Sequence, residues 1–245
     1  MTPRIELPPL FAPVDKLWHV LLDLGERLTV PWSVIGGQMV LLHVLEHGLE
    51  PPQISQDGDV IADIRADPAA LMAISAELED MGFAPEISTD GIAHRYTRVS
   101  EPSPLVIDVL APEGVGDRAN LVTSPPGRTI EVPGGTQALK RTELVTIRHE
   151  TRDGSLPRPT LLAAIVGKAA ATQLPRPERH YRDLALLLCL VDDPFGMVDE
   201  LTTKDRRRLR SAKLLDDEAH PAWALVPSEI RSRGQIAYGI LSPEM

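Results

Sequence analysis

Trp32-Ser33-Val34-Ile35-Gly36-Gly37 carries a short apolar strand into a pair of glycines, and the chain turns helical behind them. The helical reading of residues 38–47 rests on apolar Met39, Leu42, Val44 and Leu45, with Gly48 and Pro51-Pro52 as the stop. Glycines between a strand and a helix let backbone approach a ligand closely, and the helix N-terminus behind them favours an anion such as phosphate. The next segment, Ile54-Ser55-Gln56-Asp57-Gly58-Asp59-Val60-Ile61-Ala62-Asp63-Ile64, reads as a strand entered through a polar lip. Asp57 and Asp59 then point to one face, roughly 6.5–7 Å apart along the chain. Carboxylates so placed can share hard cations such as Mg²⁺, which bridge phosphate oxygens. Together, a phosphate cradle and a carboxylate pair imply nucleotide chemistry. Each alone is a common turn or loop.

Upstream, residues 14–28 place Leu17, Leu21, Leu24 and Leu28 on one helical face. Downstream, Asp67-Pro68 predicts a helix ending near Gly82, with Asp67 as its N-cap and Pro68 at its first position. Strands are expected over residues 94–99, 104–110, 129–132 and 143–149, separated by Gly-Pro turns such as Ser124-Pro125-Pro126-Gly127. Beyond Gly154 the texture is helical to the end. Helices are expected over residues 160–173, 178–191, 202–215 and 228–241, with Leu174-Pro175-Arg176-Pro177 breaking the first two apart. The fold class is therefore α/β (α+β): a mixed sheet flanked by helices over residues 1–154, then a helical domain over residues 155–245.

A third carboxylate, Asp108, sits in the apolar run Leu105-Val106-Ile107-Asp108-Val109-Leu110. Burial there is costly without a metal, a cation or a proton, so Asp108 is either a ligand or the partner of a structural arginine. Lys168 is flanked by Ile165-Val166-Gly167 and Ala169-Ala170-Ala171, where a lone lysine snorkels or faces a site. If the Leu174–Pro177 break folds a helical hairpin, Lys168 and Asp183 both lie roughly 9–10 Å from the turn and meet at one height. Arg179 and Asp183 are i, i+4 neighbours and can pair as well.

Gly36-Gly37, Asp57-x-Asp59 and the hydrophobic-Asp-hydrophobic element at Asp108 together resemble the DNA polymerase beta-type nucleotidyltransferase superfamily. Lys168, Arg179 and Asp183 make the chain similar, more narrowly, to the AbiEii/MenT nucleotidyltransferase toxin family, over about residues 30–190. That resemblance implies a nucleotidyltransferase-like fold and supplies roles. Asp57 and Asp59 would bind Mg²⁺, and Asp108 would complete the set or help deprotonate the acceptor. Gly36, Gly37, Lys168 and Arg179 would hold the NTP, with Asp183 orienting Lys168 or Arg179. A nucleoside monophosphate would pass to an acceptor hydroxyl, in the toxin subgroup a tRNA 3′ end, with a cognate antitoxin protein as regulator. Two other readings stay open. One is a small-molecule (antibiotic) nucleotidyltransferase, which an acidic chain suits. The other is a nucleotide-binding or interaction module without catalysis, favoured by Gly37 where many members carry serine and by Leu186 three positions after Asp183.

Thirty-five acidic against 25 basic residues, a net charge of −10, exclude a uniformly basic nucleic-acid coat. The one basic run, Lys204-Asp205-Arg206-Arg207-Arg208-Leu209-Arg210, is either a solvated helix face or a contact for RNA phosphates. The lone Cys189 reads as a small buried hydrophobe. The histidines show no metal-ligand spacing, His43 and His47 lacking an HExxH context, so no zinc site is expected. No stretch approaches the roughly 20 apolar residues that cross a bilayer. Met1-Thr2-Pro3-Arg4-Ile5-Glu6 carries no secretory pattern. The expectation is a soluble, cytoplasmic protein with no membrane partner.

Overall fold

The computed structural model describes residues 4–50, 53–117 and 119–242. The proline stop at Pro51-Pro52 and the first three residues of the N-terminal reading lie outside them. The chain opens with β1 (Arg4–Glu6), α1 (Ala12–Arg27), β2 (Trp32–Ile35), α2 (Gly36–Glu46), β3 (Asp57–Ala62) and α3 (Ala70–Asp80). Next come β4 (Ala84–Glu86), β5 (Arg95–Arg98), β6 (Leu105–Pro112), β7 (Glu131–Val132), α4 (Gly135–Lys140), β8 (Thr142–His149) and β9 (Arg152–Pro159). Helices α5 (Leu161–Ala171), α6 (Glu178–Leu188), α7 (Pro194–Asp199), α8 (Thr203–Ser211), α9 (Pro221–Ala224) and α10 (Ser228–Leu241) follow, with a 3-10 turn at Lys213–Asp216. No helix among the described residues is long and apolar enough to cross a membrane.

The larger sheet runs β2-β3-β6-β5-β4, with β7 added to the far end of β6, and a smaller sheet runs β1-β8-β9. β3 and β6 are parallel, while β2 on β3 and β5 on β6 are antiparallel. Central β6 is covered on both faces, which is why its sequence reads as one apolar run instead of alternating. One face of the sheet takes α1, entered through Pro13, whose Leu17 and Leu21 side chains lie against Gly58 of β3. Tyr96, Ile107 and Val109 join Leu17, Trp18 and Leu21 in this first core. Each such buried side chain contributes about 1.5–3 kcal/mol.

A second core is built almost wholly from helices. Ile165, Val166 and Ala169 of α5 pack there with Leu184, Leu187 and Leu188 of α6, Trp223 of α9 and Tyr238 of α10. Cys189 is buried in it, as its apolar neighbours imply. Helix α2 joins the two cores because it is apolar on two faces. Leu41 and Leu42 enter the first core, while Met39, Val40 and Val44 enter the second. The strand and helix at the glycine pair are thus clamped between the layers.

Two expectations need correction. Residues 155–159 are not helical: they complete β9, paired with β8 from His149↔Arg152 to Thr142↔Pro159. The 154/155 boundary therefore falls inside a strand, and the helical part begins at Leu161. Gly154, Pro157 and Pro159 disguise the strand, yet β9 has β8 on one side only, so prolines two residues apart lose no ladder bond. Asp67 does not cap α3. Its Oδ1 accepts from the Ala69 N–H at 2.9 Å and its carbonyl from the Ala70 N–H at 3.0 Å, closing an Asx turn before the helix starts.

Candidate active site

Four neighbouring strands bring one residue each into a single row. Ile35 of β2 is opposite Asp59 of β3, Asp59 is opposite Asp108 of β6, and Asp108 is opposite Arg95 of β5. Register partners share a face, so the Asp59 and Asp108 side chains leave the sheet together, with Asp57 two residues along. Gly58 and Ile107, one residue out of phase, face α1 instead. The alternation of β3 therefore separates core from site.

The glycine pair has a physical purpose beyond the one its sequence suggests. Gly36 adopts φ +68, and a Cβ there would stand 1.8 Å from Asp59 Oδ2. The Asp59 carboxylate lies directly against the Gly36 backbone, in space that only glycine leaves free. At Gly37 a Cβ would meet the Ser55 Cβ at 2.4 Å and its Oγ at 3.0 Å. A serine hydroxyl is thus present at the corner, supplied by the segment before β3. Gln38 holds that segment in place, its Nε2 donating to the carbonyls of Ser55 at 2.8 Å and Asp57 at 3.3 Å.

Gly36→Ala is expected to cost more than Gly48→Ala, although both glycines have φ +68, because a Cβ at Gly48 meets nothing within 4 Å. The shared left-handed backbone costs about 1–2 kcal/mol in each variant. Chemical denaturation reads the difference. Equal losses would show that Asp59 does not rest on Gly36.

The carboxylates are poorly neutralised. Among the described residues neither Asp57 nor Asp59 has an ion-pair partner within 4.0 Å, and neither carboxylate makes a hydrogen bond. Burial, reinforced by the Asp108 charge, pushes Asp59 up to about 6, against the pull of Lys168 and Arg179. Burial also raises Asp57, with Arg95 opposing and Asp108 adding to the rise. Asp108 itself is gripped by Arg95, Nε to Oδ1 and a terminal nitrogen to Oδ2, both at 2.9 Å. The arginine partner weighed for Asp108 is present, and so is the neighbouring carboxylate.

Opposite the carboxylates stands a wall of cations. Lys168 Nζ donates to Asp183 Oδ2 at 2.6 Å across the α5–α6 hairpin, as equal distance from the turn implied. Among the described residues Arg179 makes no ion pair with Asp183, and its Nε reaches His180 Nε2 at 3.5 Å. A cleft of about 420 Å³ lies between, lined by Gly36, Gly37, Ser55, Asp59, Lys168, Arg179, His180 and Asp183 among others. That volume suits a ligand of drug or nucleotide size. Much of its remaining wall is apolar, with Met39, Val40 and Leu110, and Gln53, Gln56 and Arg182 add polar groups. Asp57 and Asp108 stand beside the lining, coupled to Asp59 by charge.

No family model and no curated protein matches the chain. The site rests on its own geometry. Sequence reasoning missed Arg95 and His180. The inward Tyr96 puts Arg95 on the Asp108 face of the sheet, a parity signal that carries meaning only once β5 is known to pair with β6. His180 is held neutral, lowered to about 4 by burial and by the Lys168 and Arg179 charges, and its buried Nδ1 has no partner. Part of the basic run on α8 is paired within the molecule. Arg208 and Lys204 both reach Glu113, and Arg206 donates to the Val198 carbonyl.

Proposed function

We propose that this chain is a Mg²⁺-dependent nucleotidyltransferase that moves a nucleoside monophosphate from an NTP to an acceptor hydroxyl. What carries the reading is Asp59, backed by Asp57 and Asp108 in one under-neutralised row, sharing a cleft with Lys168 and Arg179. Oxygen-only donors, two of them without any protein partner, fit a hard divalent cation. When bound there, Mg²⁺ would neutralise phosphate oxygens and orient an in-line attack.

The chain's own groups divide the remaining work. Lys168, steadied by Asp183, and Arg179 present positive charge to the triphosphate. The first turn of α2 adds backbone N–H groups at the same corner, with the Ser55 hydroxyl beside them. Arg95 holds the Asp108 carboxylate by both oxygens, which suits it to anchoring and ligation more than to taking the acceptor's proton. The acceptor oxygen bonds to the α-phosphorus, the bond to the leaving pyrophosphate breaks, and the hydroxyl proton departs to water. A tRNA 3′ end as acceptor and an antitoxin as regulator follow from the resemblance to the AbiEii/MenT family and are proposed on that ground.

Incubation with labelled NTPs, Mg²⁺ and total tRNA is expected to label RNA, and Asp57→Asn is expected to abolish the label. Label on an aminoglycoside instead would move the acceptor to a small molecule. Nucleotide binding with no transfer to any acceptor would contradict the enzymatic reading.

A further inference from the structure

A second cluster of ligand-type side chains lies away from the cleft, where α1 crosses the end of the small sheet. Asp15 and His19 are i, i+4 neighbours on α1 and share a face, and His149 closes β8 opposite them. One ligand atom from each of the three lies within 4.8 Å of the other two. None of them lines the cleft.

His149 is the unusual member. Its side chain is only 2% exposed, and Nε2 points at Asp15 Oδ1 from 3.0 Å. Yet neither ring nitrogen makes a hydrogen bond of acceptable geometry. Buried polar groups without partners cost about 1–3 kcal/mol each and are rare. The His19 ring stands 4.7 Å from the His149 ring, tilted by 51°, and His19 Nε2 is 3.8 Å from Glu150 Oε2. Of the neighbouring cations, Arg152 is already committed to Asp23 at 2.7 Å and Glu26 at 2.8 Å, and one of its N–H groups donates to the His19 carbonyl. Among the described residues, no lysine or arginine forms an ion pair with Asp15.

We propose that Asp15, His19 and His149 form a binding site for a divalent transition-metal ion, fastening α1 to the β8–β9 hairpin. Two imidazoles and a carboxylate favour zinc over magnesium, with cobalt as an equivalent probe. Ligands of a tetrahedral zinc stand roughly 3.3–3.5 Å apart, given metal–ligand lengths of about 2.0–2.2 Å. The three ligand atoms stand within 4.8 Å of one another without an ion, and the half-exposed His19 side chain is the member free to draw in. Glu150 is within reach of the fourth position, and with Asp15 it would balance the ion's charge.

The test is titration of tag-free full-length protein with Co²⁺, followed by visible absorption, and with Zn²⁺, followed by thermal melting. One Co²⁺ per chain is expected to give the visible bands of a tetrahedral site, displaced by Zn²⁺, and Zn²⁺ is expected to raise the melting temperature. His19→Ala, at a half-exposed helix position, is expected to fold and to weaken Co²⁺ binding at least tenfold. Asp57→Asn is expected to leave the signal unchanged, separating this site from the cleft. Absence of both responses at hundred-micromolar metal, or an equal response in His19→Ala, would overturn the proposal.

Discussion

Asp59→Asn is expected to make the metal-free protein more stable at neutral pH while removing nucleotide transfer. Asp59 is held at about 6 in the folded chain against an ordinary value of 3.8. Between those pH values the folded state keeps a proton that the unfolded state has released, so stability falls as pH rises through that window. Above about pH 6 the full penalty remains, on the order of 1–3 kcal/mol. Asparagine keeps the shape against Gly36 and removes the charge. Its melting temperature in EDTA should therefore exceed the wild type at pH 7.5, with the difference vanishing near pH 4. Transfer should fall by about 10²–10³ or more, because the same repulsion that destabilises the apoprotein is what attracts the cation. A variant that is less stable, or that retains activity, would contradict this.

The second large effect concerns the α5–α6 hairpin. Lys168→Met leaves the Asp183 carboxylate, 20% exposed, facing an apolar chain where an ammonium stood at 2.6 Å. Loss of one partner from a largely buried pair is expected to cost about 2–4 kcal/mol, less than a fully buried pair because Asp183 reaches water. Nucleotide affinity should fall about 10–100-fold, the worth of one or two charge-assisted hydrogen bonds to phosphate. The double substitution Lys168→Met with Asp183→Leu separates the two roles. It should recover most of the stability, since a hydrophobic pair often replaces a buried ion pair without loss, and recover none of the affinity. Denaturation midpoints and nucleotide dissociation constants read both. Recovered affinity in the double variant would make Lys168 a structural residue only.

What the sequence made legible was local. Trp32–Ile35, the helix behind Gly36 and the strand at Asp57–Ala62 were readable because strand alternation and helical spacing are written in adjacent residues. The Lys168–Asp183 pair was readable because a proline break fixes the hairpin that joins them. Features set by register were not. Arg95 meets Asp108 only because β5 docks antiparallel on β6, and no spacing within Arg95-Tyr96-Thr97-Arg98 announces that. His149 joins Asp15 and His19 from more than a hundred residues away, so a search for close ligand spacing passes over it. Strand β9 was hidden by its own glycine and prolines, which ordinarily mark turns and are tolerated here at a sheet edge. The role of Gly36 was half legible: the sequence pointed to a close approach, and the nearest group is the Asp59 carboxylate.

Calorimetric titration with a non-transferable NTP analogue, bridged by α,β-methylene, is the most direct measurement of whether these carboxylates hold a cation that grips a triphosphate. Wild-type protein should bind the analogue in Mg²⁺ and lose at least tenfold in affinity in EDTA. Asp57→Asn should bind weakly and equally in both. Equal wild-type affinity with and without Mg²⁺, or an Asp57→Asn titration that matches the wild type, would contradict the account.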